Sequence, residues 1–186
     1  QLKKGEAFLF NYPYTASPVF LMAFEQEVKP AELVTEGKHR YAAPAGVGPN
    51  KSIVAFSAIC AHKLMYPTAT ISFIGLRSGG RGEPAHVIHC CGDNSRYDPL
   101  HGARVIDGPA PQPLAAVLLE WDAKSDQLFA VGTRGGRPDA GGDPDAGGRR
   151  VASHGHRTAP ARRGRPPIWT PGACGGTGTP SRRSST

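Results

Sequence analysis

The 186-residue chain has no apolar run approaching the roughly 18 to 20 residues that cross a bilayer as a helix. Cysteine is scarce: Cys60, Cys90, Cys91 and Cys174 are the four, and two of them are adjacent. Neighbouring cysteines rarely bond each other and Cys174 lies far off, which does not suggest a small fold stapled by disulfides. Lysine is missing from the C-terminal part. From Arg134 onward there are ten Arg, no Lys and three Asp, whereas from Gln1 to Thr133 twelve Lys/Arg balance twelve Asp/Glu. The whole net charge of +7 therefore belongs to the tail. Its arginines are scattered among Gly, Pro and Ala without interleaved aromatics, which argues against a nucleic-acid partner.

The tail, residues 134–186, also lacks any strand or helix period and holds 12 of the 24 glycines. Such a segment buries too little apolar surface to offset its ordering entropy, so disorder is expected. Its Arg/Gly/Pro/Ala bias also matches GC-rich DNA read out of frame. The chain opens on Gln1 rather than Met, which fits a processed or truncated product with a signal peptide or anchor upstream.

Residues 1–133 read as one domain of many short strands. Glu6 to Tyr14, Val19 to Glu25, Ser52 to Ile59, Ala69 to Leu76, Val87 to His89, Gly102 to Ile106, Ala115 to Glu120 and Gln127 to Gly132 are short apolar runs. Gly- and Pro-rich turns separate them at about 8 to 12 residue spacing, the pattern of an all-β sandwich or barrel. Lys29 to Leu33 reads as one helical turn, and Gly37 to Asn50 as a loop. Arg77 to Pro84 is expected to be a surface turn.

Two segments carry the chemistry: ICAHKLMYP (59–67) and VIHCCGDNSRYDPLHGARV (87–105). Each comes after a run of β-formers, so two strand-borne loops present Cys60, His62, His89, Cys90, Cys91 and His101. Thiolates and imidazoles together are metal ligands of soft and borderline character. Zinc is one candidate occupant, through Cys60, His62, Cys90 and Cys91. Adjacent cysteines suit a single tetrahedron poorly, however, and no C-x-x-C spacing occurs.

The residues behind the ligands are more specific. Cys60-Ala61-His62 is a C-x-H pair. After the second cysteines come Ser95-Arg96-Tyr97-Asp98, then His101-Gly102, and then GPAPQPL from Gly108 to Leu114. This order resembles the Rieske iron–sulfur family, in which C-x-H in one loop and C-x-x-H in the other precede a Ser, an aromatic, an Asp and a Gly-Pro-Ala-Pro-x-Pro-Leu segment. The resemblance runs from about Ser52 to Gly132. It implies an antiparallel β fold and a 2Fe–2S cluster with two cysteines on one iron and two histidines on the other. It also implies that Ser95 and Tyr97 hydrogen-bond sulfur and raise the potential.

The chain departs from that pattern in its second loop, which has no C-x-x-H. Counted from Cys91 the fourth ligand position is Asn94. Counted from Cys90, which sets Ser95, Tyr97 and Asp98 in the usual order behind it, the position is Asp93. One histidine codon change yields Asn, and that favours Cys60, His62, Cys91 and Asn94 as the cofactor-binding, metal-holding set; the Cys90/Asp93 register stays open. A carboxylate at this place adds a negative charge and lowers the potential, whereas an amide is a poor iron ligand and leaves the place to water. His89 and His101 are the nearest substitutes. The brace of two further cysteines found in cytochrome bc-type members is missing, its positions falling at Met65 and at Gly92 or Asp93.

By resemblance the expected function is one-electron transfer, as a protein or subunit of a respiratory or other oxidoreductase complex rather than a stand-alone enzyme. The partner would be a cytochrome, a quinol-oxidising complex or a molybdoenzyme. The resemblance also implies a periplasmic or membrane-complex setting, with membrane association only through an upstream anchor or a complex. The alternative is a cluster-free module that keeps the Rieske scaffold for a structural or interaction role. A Rieske oxygenase is excluded by length, since no stretch could house its mononuclear-iron domain.

Overall fold

The computed structural model describes residues 2–62 and 73–135. The expected disorder of the tail beyond Gly135, the remainder of the first loop (63–67, Met65 included) and the start of the strand expected at 69–76 lie outside these residues. Eleven strands and one short 3-10 helix make the described structure. It is all-β, with antiparallel pairing within each sheet.

Strands β1 (Ala7–Asn11), β2 (Pro18–Ala23), β5 (Ile53–Ser57), β10 (Ala116–Asp122) and β11 (Gln127–Arg134) form a five-stranded sheet in the order β1-β2-β5-β10-β11. Alternation sets its faces. Phe20, Met22, Val54, Phe56 and Ala116 point into the main core, while Val19, Ala55 and Val117 gather on the other face with Phe10, Leu21 and Leu119. Each large, fully buried side chain such as Met22 or Phe56 contributes about 1.5 to 3 kcal/mol through removal from water.

β5 and β10 are neighbours in this sheet although 57 residues lie between Ser57 and Ala115: Ala116 pairs with Phe56, and the Ser57 N–H donates to the Ala115 carbonyl at 2.8 Å. The described residues between them leave the sheet and return to it at one place. That excursion holds a four-stranded sheet, β6 (Ile74–Ser78), β7 (His86–Cys90), β8 (Arg96–Asp98) and β9 (Arg104–Asp107), in sequential order. Its inner side chains, Ile74, Leu76, Ile88, Cys90 and Tyr97, join Phe20, Met22 and Phe56 in a single core.

The third sheet corrects the sequence reading at two places. Lys29 to Leu33 is not a helical turn, and Gly37 to Asn50 is not only a loop. β3 (Ala31–Val34) pairs with β4 (Arg40–Ala43) as a hairpin, Leu33 opposite Tyr41. Lys38 in left-handed backbone and the Thr35 N–H to His39 carbonyl bond at 3.0 Å close the turn. The hairpin covers the short 3-10 helix Pro99–His101 and the turn after it. There Gly102 (φ 71°) approaches so closely that a Cβ would lie 2.5 Å from Ala43 Cβ and 2.7 Å from Leu33 Cδ1.

Candidate metal centre

The first loop leaves β5 through Ala58 and Ile59, with the Ile59 N–H bound to Ser57 Oγ at 3.3 Å, and brings Cys60 into the core at 0% exposure. The second loop is the β7–β8 turn. Along β7, Ile88 and Cys90 face inward while His89, between them, faces outward, as strand alternation requires. The same alternation turns Cys91 away from Cys90.

Cys60 Sγ, Cys90 Sγ and an oxygen of Asp93 lie within 4.8 Å of one another. The Cys60 thiol donates to Asp93 Oδ2 at 3.0 Å, and the same oxygen is 3.2 Å from His62 Nδ1. Asp93 Oδ1 accepts the Ser95 N–H at 2.8 Å, a local turn that fixes the carboxylate plane. Four side chains therefore converge: two buried thiols on the inside, His62 on the solvent side with its side chain 31% exposed, and Asp93 between them at 2%.

The sulfurs sit among donors. The Tyr97 phenol lies 3.3 Å from Cys60 Sγ and also accepts the Ala61 N–H at 3.4 Å. The His62 N–H is directed at Cys60 and the Gly92 N–H at Cys90. The Cys90 thiol's hydrogen bond to Cys60 is the largest influence on Cys60 and, against burial and Asp93, brings that thiol down to about 7. Cys90, giving its proton to Cys60, is pushed up. Burial acts on Asp93 in the upward direction, but bonds from Cys60, Ser95 and Cys90 outweigh it and hold the carboxyl at about 2. Burial, with the Cys60 hydrogen bond second, raises Tyr97. In the metal-free protein charge on sulfur is thus favoured at Cys60 and opposed at Cys90.

The GPAPQPL segment forms the back of the second loop. Gly108 (φ 91°) leaves no room for a side chain: a Cβ would stand 2.5 Å from Ser95 Cα and 2.7 Å from the Asn94 carbonyl. The Ala110 N–H donates to buried Ser95 Oγ at 3.1 Å, and the Leu114 N–H reaches the Ala103 carbonyl at 3.3 Å. Asp98, 1% exposed, caps the 3-10 helix through the Leu100 N–H at 3.1 Å and binds His101 Nδ1 at 2.7 Å.

Of the set favoured by sequence, Cys60 and His62 are brought to this centre. Cys91 and Asn94 are not. Cys91 is exposed, and its sulfur accepts from Arg77 Nη2 at 3.0 Å. Asn94 takes left-handed backbone (φ 63°) at the tip of the turn, and its Oδ1 meets His89 Nε2 at 2.8 Å on the surface. The structure instead joins Cys90 and Asp93 to Cys60 and His62. His89 is turned outward by alternation, and His101 is held by Asp98. Tyr97 stands at the sulfur as the resemblance implied, whereas Ser95 serves Ala110 and Asp93.

No family model matches the chain. Among solved structures, the soluble domain of the Rieske protein II (soxF) from Sulfolobus acidocaldarius is similar, with 31% sequence identity and a TM-score of 0.51. The match covers 68% of this chain and 67% of that one. The chain belongs to the Rieske protein family.

Within this Rieske-family chain the donor set fits the family's cofactor in three places of four. Two buried thiols suit one iron and His62 suits the other, while an oxygen donor, Asp93, holds the place expected for nitrogen. The signal for the Cys90 register was present in the sequence, in the spacing of Ser95, Tyr97 and Asp98. Among the described residues no helix is long and apolar enough to cross a membrane.

Proposed function

We propose that this Rieske-family protein binds a 2Fe–2S cluster and passes single electrons as a subunit or partner of an oxidoreductase complex. The observation that carries the reading is the pair Cys60 and Cys90, both at 0% exposure, facing one point with the Tyr97 phenol and two backbone N–H groups aimed at their sulfurs. When bound, such a cluster supplies a one-electron couple whose potential is set by net charge and by hydrogen bonds to sulfur. The chain's own residues do the rest. Cys60 and Cys90 hold one iron, and their N–H and O–H neighbours stabilise the added negative charge on reduction. His62, on the solvent side of the centre, holds the other iron and forms the route by which an electron reaches a docked partner. A cytochrome, a quinol-oxidising complex or a molybdoenzyme fits that partner role, in a periplasmic or membrane-complex setting.

Anaerobic reconstitution with iron and sulfide, then metal and sulfide counts and an EPR spectrum of the reduced protein, tests the reading. Stoichiometric iron and sulfide with a rhombic signal is the expected result. Colourless protein without iron sinks it and favours the second reading, a cluster-free Rieske module. That second reading draws on one observation: the four side chains already satisfy one another, Cys60 and His62 both bonding Asp93 Oδ2.

A further inference from the structure

Among the described residues, Asp93 is the acid whose side chain is aimed into the centre. It is 2% exposed, with one oxygen pinned by the Ser95 N–H at 2.8 Å. The other oxygen faces Cys60 Sγ at 3.0 Å and His62 Nδ1 at 3.2 Å. No lysine or arginine pairs with it among the described residues, and its ion-pair partner is the histidine alone. A buried carboxylate beside two thiols that must ionise to bind metal concentrates negative charge in one place. That concentration is strongly unfavourable unless a cation compensates it. The loop is also built for this side chain. Asn94 takes the left-handed position and the Asp93 Oδ1 to Ser95 bond closes the turn, leaving Oδ2 to face the centre.

We propose that Asp93 is a ligand of the cluster, binding through Oδ2 the same iron as His62, so that the centre is a mixed cysteine, histidine and aspartate site. The assignment rests on the cluster reading of the function. It makes the loaded centre one charge more negative in both oxidation states than a centre with two imidazoles. One-electron reduction is therefore harder, and the potential lies lower than in an otherwise identical two-histidine centre. The carboxylate is also a harder donor than imidazole, which favours the ferric state of the iron it binds.

The test compares the wild-type full chain with Asp93→His and Asp93→Ala after the same reconstitution. Circular dichroism checks that each variant is folded. The readouts are iron and sulfide per chain, midpoint potential, and nitrogen couplings counted by pulsed EPR of the reduced protein. Expected are one strongly coupled nitrogen in wild type and two in Asp93→His, a higher potential in Asp93→His, and loss of most iron on desalting from Asp93→Ala. Asp93→Ala retaining the wild-type spectrum and potential overturns the assignment. So does a wild type without cluster beside an Asp93→His that takes one, an outcome that leaves the scaffold's capacity intact. Absence of cluster from wild type and Asp93→His alike overturns both this assignment and the cluster reading beneath it.

Discussion

The five-stranded and four-stranded sheets are made of the same antiparallel ladder and share one core, yet their hairpin turns carry different side chains. In the five-stranded sheet the β1–β2 and β10–β11 turns are closed by their own backbone and by side chains that face only the turn. Tyr12 and Ser17 bond across the β1–β2 turn at 2.9 Å, and Asp122 binds Lys124 and Ser125 in the β10–β11 turn. In the four-stranded sheet the β7–β8 turn is closed by Asp93, a side chain that also faces two sulfurs. The site arises where a strand's inward alternation reaches the end of its ladder. Cys90 is both the last inward residue of β7 and the first of the centre.

The difference between the sheets is tested most severely by replacing each of the two adjacent cysteines in turn. Cys90→Ser is expected to abolish stoichiometric iron and sulfide binding, while Cys91→Ser leaves it unchanged, as measured on reconstituted protein; equal loss in both would place the register elsewhere. Next in size is Phe56→Ala, at the centre of the five-stranded sheet. It should destabilise the fold by about 3 to 5 kcal/mol in denaturant unfolding and loosen the centre only through the shared core.

Acid should separate the two regions more gently. In the metal-free protein the folded-state pKa of Asp93, about 2, lies below the ordinary 3.8. Its contribution, about 2 kcal/mol, is therefore present above the ordinary value and lost as pH falls through the folded one. Asp93→Asn should remove that part of the dependence, read from unfolding midpoints taken from neutral pH down to about pH 2. Smallest is Tyr97→Phe. It leaves the packing in place and removes the phenol at Cys60 Sγ, costing about 1 kcal/mol and lowering the potential of the loaded protein; an unchanged potential would show that the hydroxyl does not reach the sulfur.

The sequence was most legible where a short apolar run is bounded by turn residues or where a rare segment occurs. The apolar run from Val19 to Glu25 marked β2, and GPAPQPL behind Ser95 marked the second loop. The β3–β4 hairpin was not legible because its strands are four residues long and mostly exposed, so their pairing depends on a partner beyond local pattern. Which of the two adjacent cysteines faces the centre was hard to read for a related reason. Cys90 and Cys91 are the same residue type side by side, and the pleat of β7 decides which of them faces inward. Counting alternation outward from Ile88 selects Cys90, whereas the single codon step from His to Asn favours Asn94 and with it Cys91.

The close approach of β5 and β10 bears on biosynthesis. A chain made from its N-terminus presents β1, β2 and β5 first, then the whole excursion with both ligand loops, and only afterwards β10 and β11. Cys60, His62, Cys90 and Asp93 have all left the ribosome before the sheet beneath them can gain its last two strands. Metal delivery to the nascent chain would therefore meet a full set of donors on a scaffold that is still open.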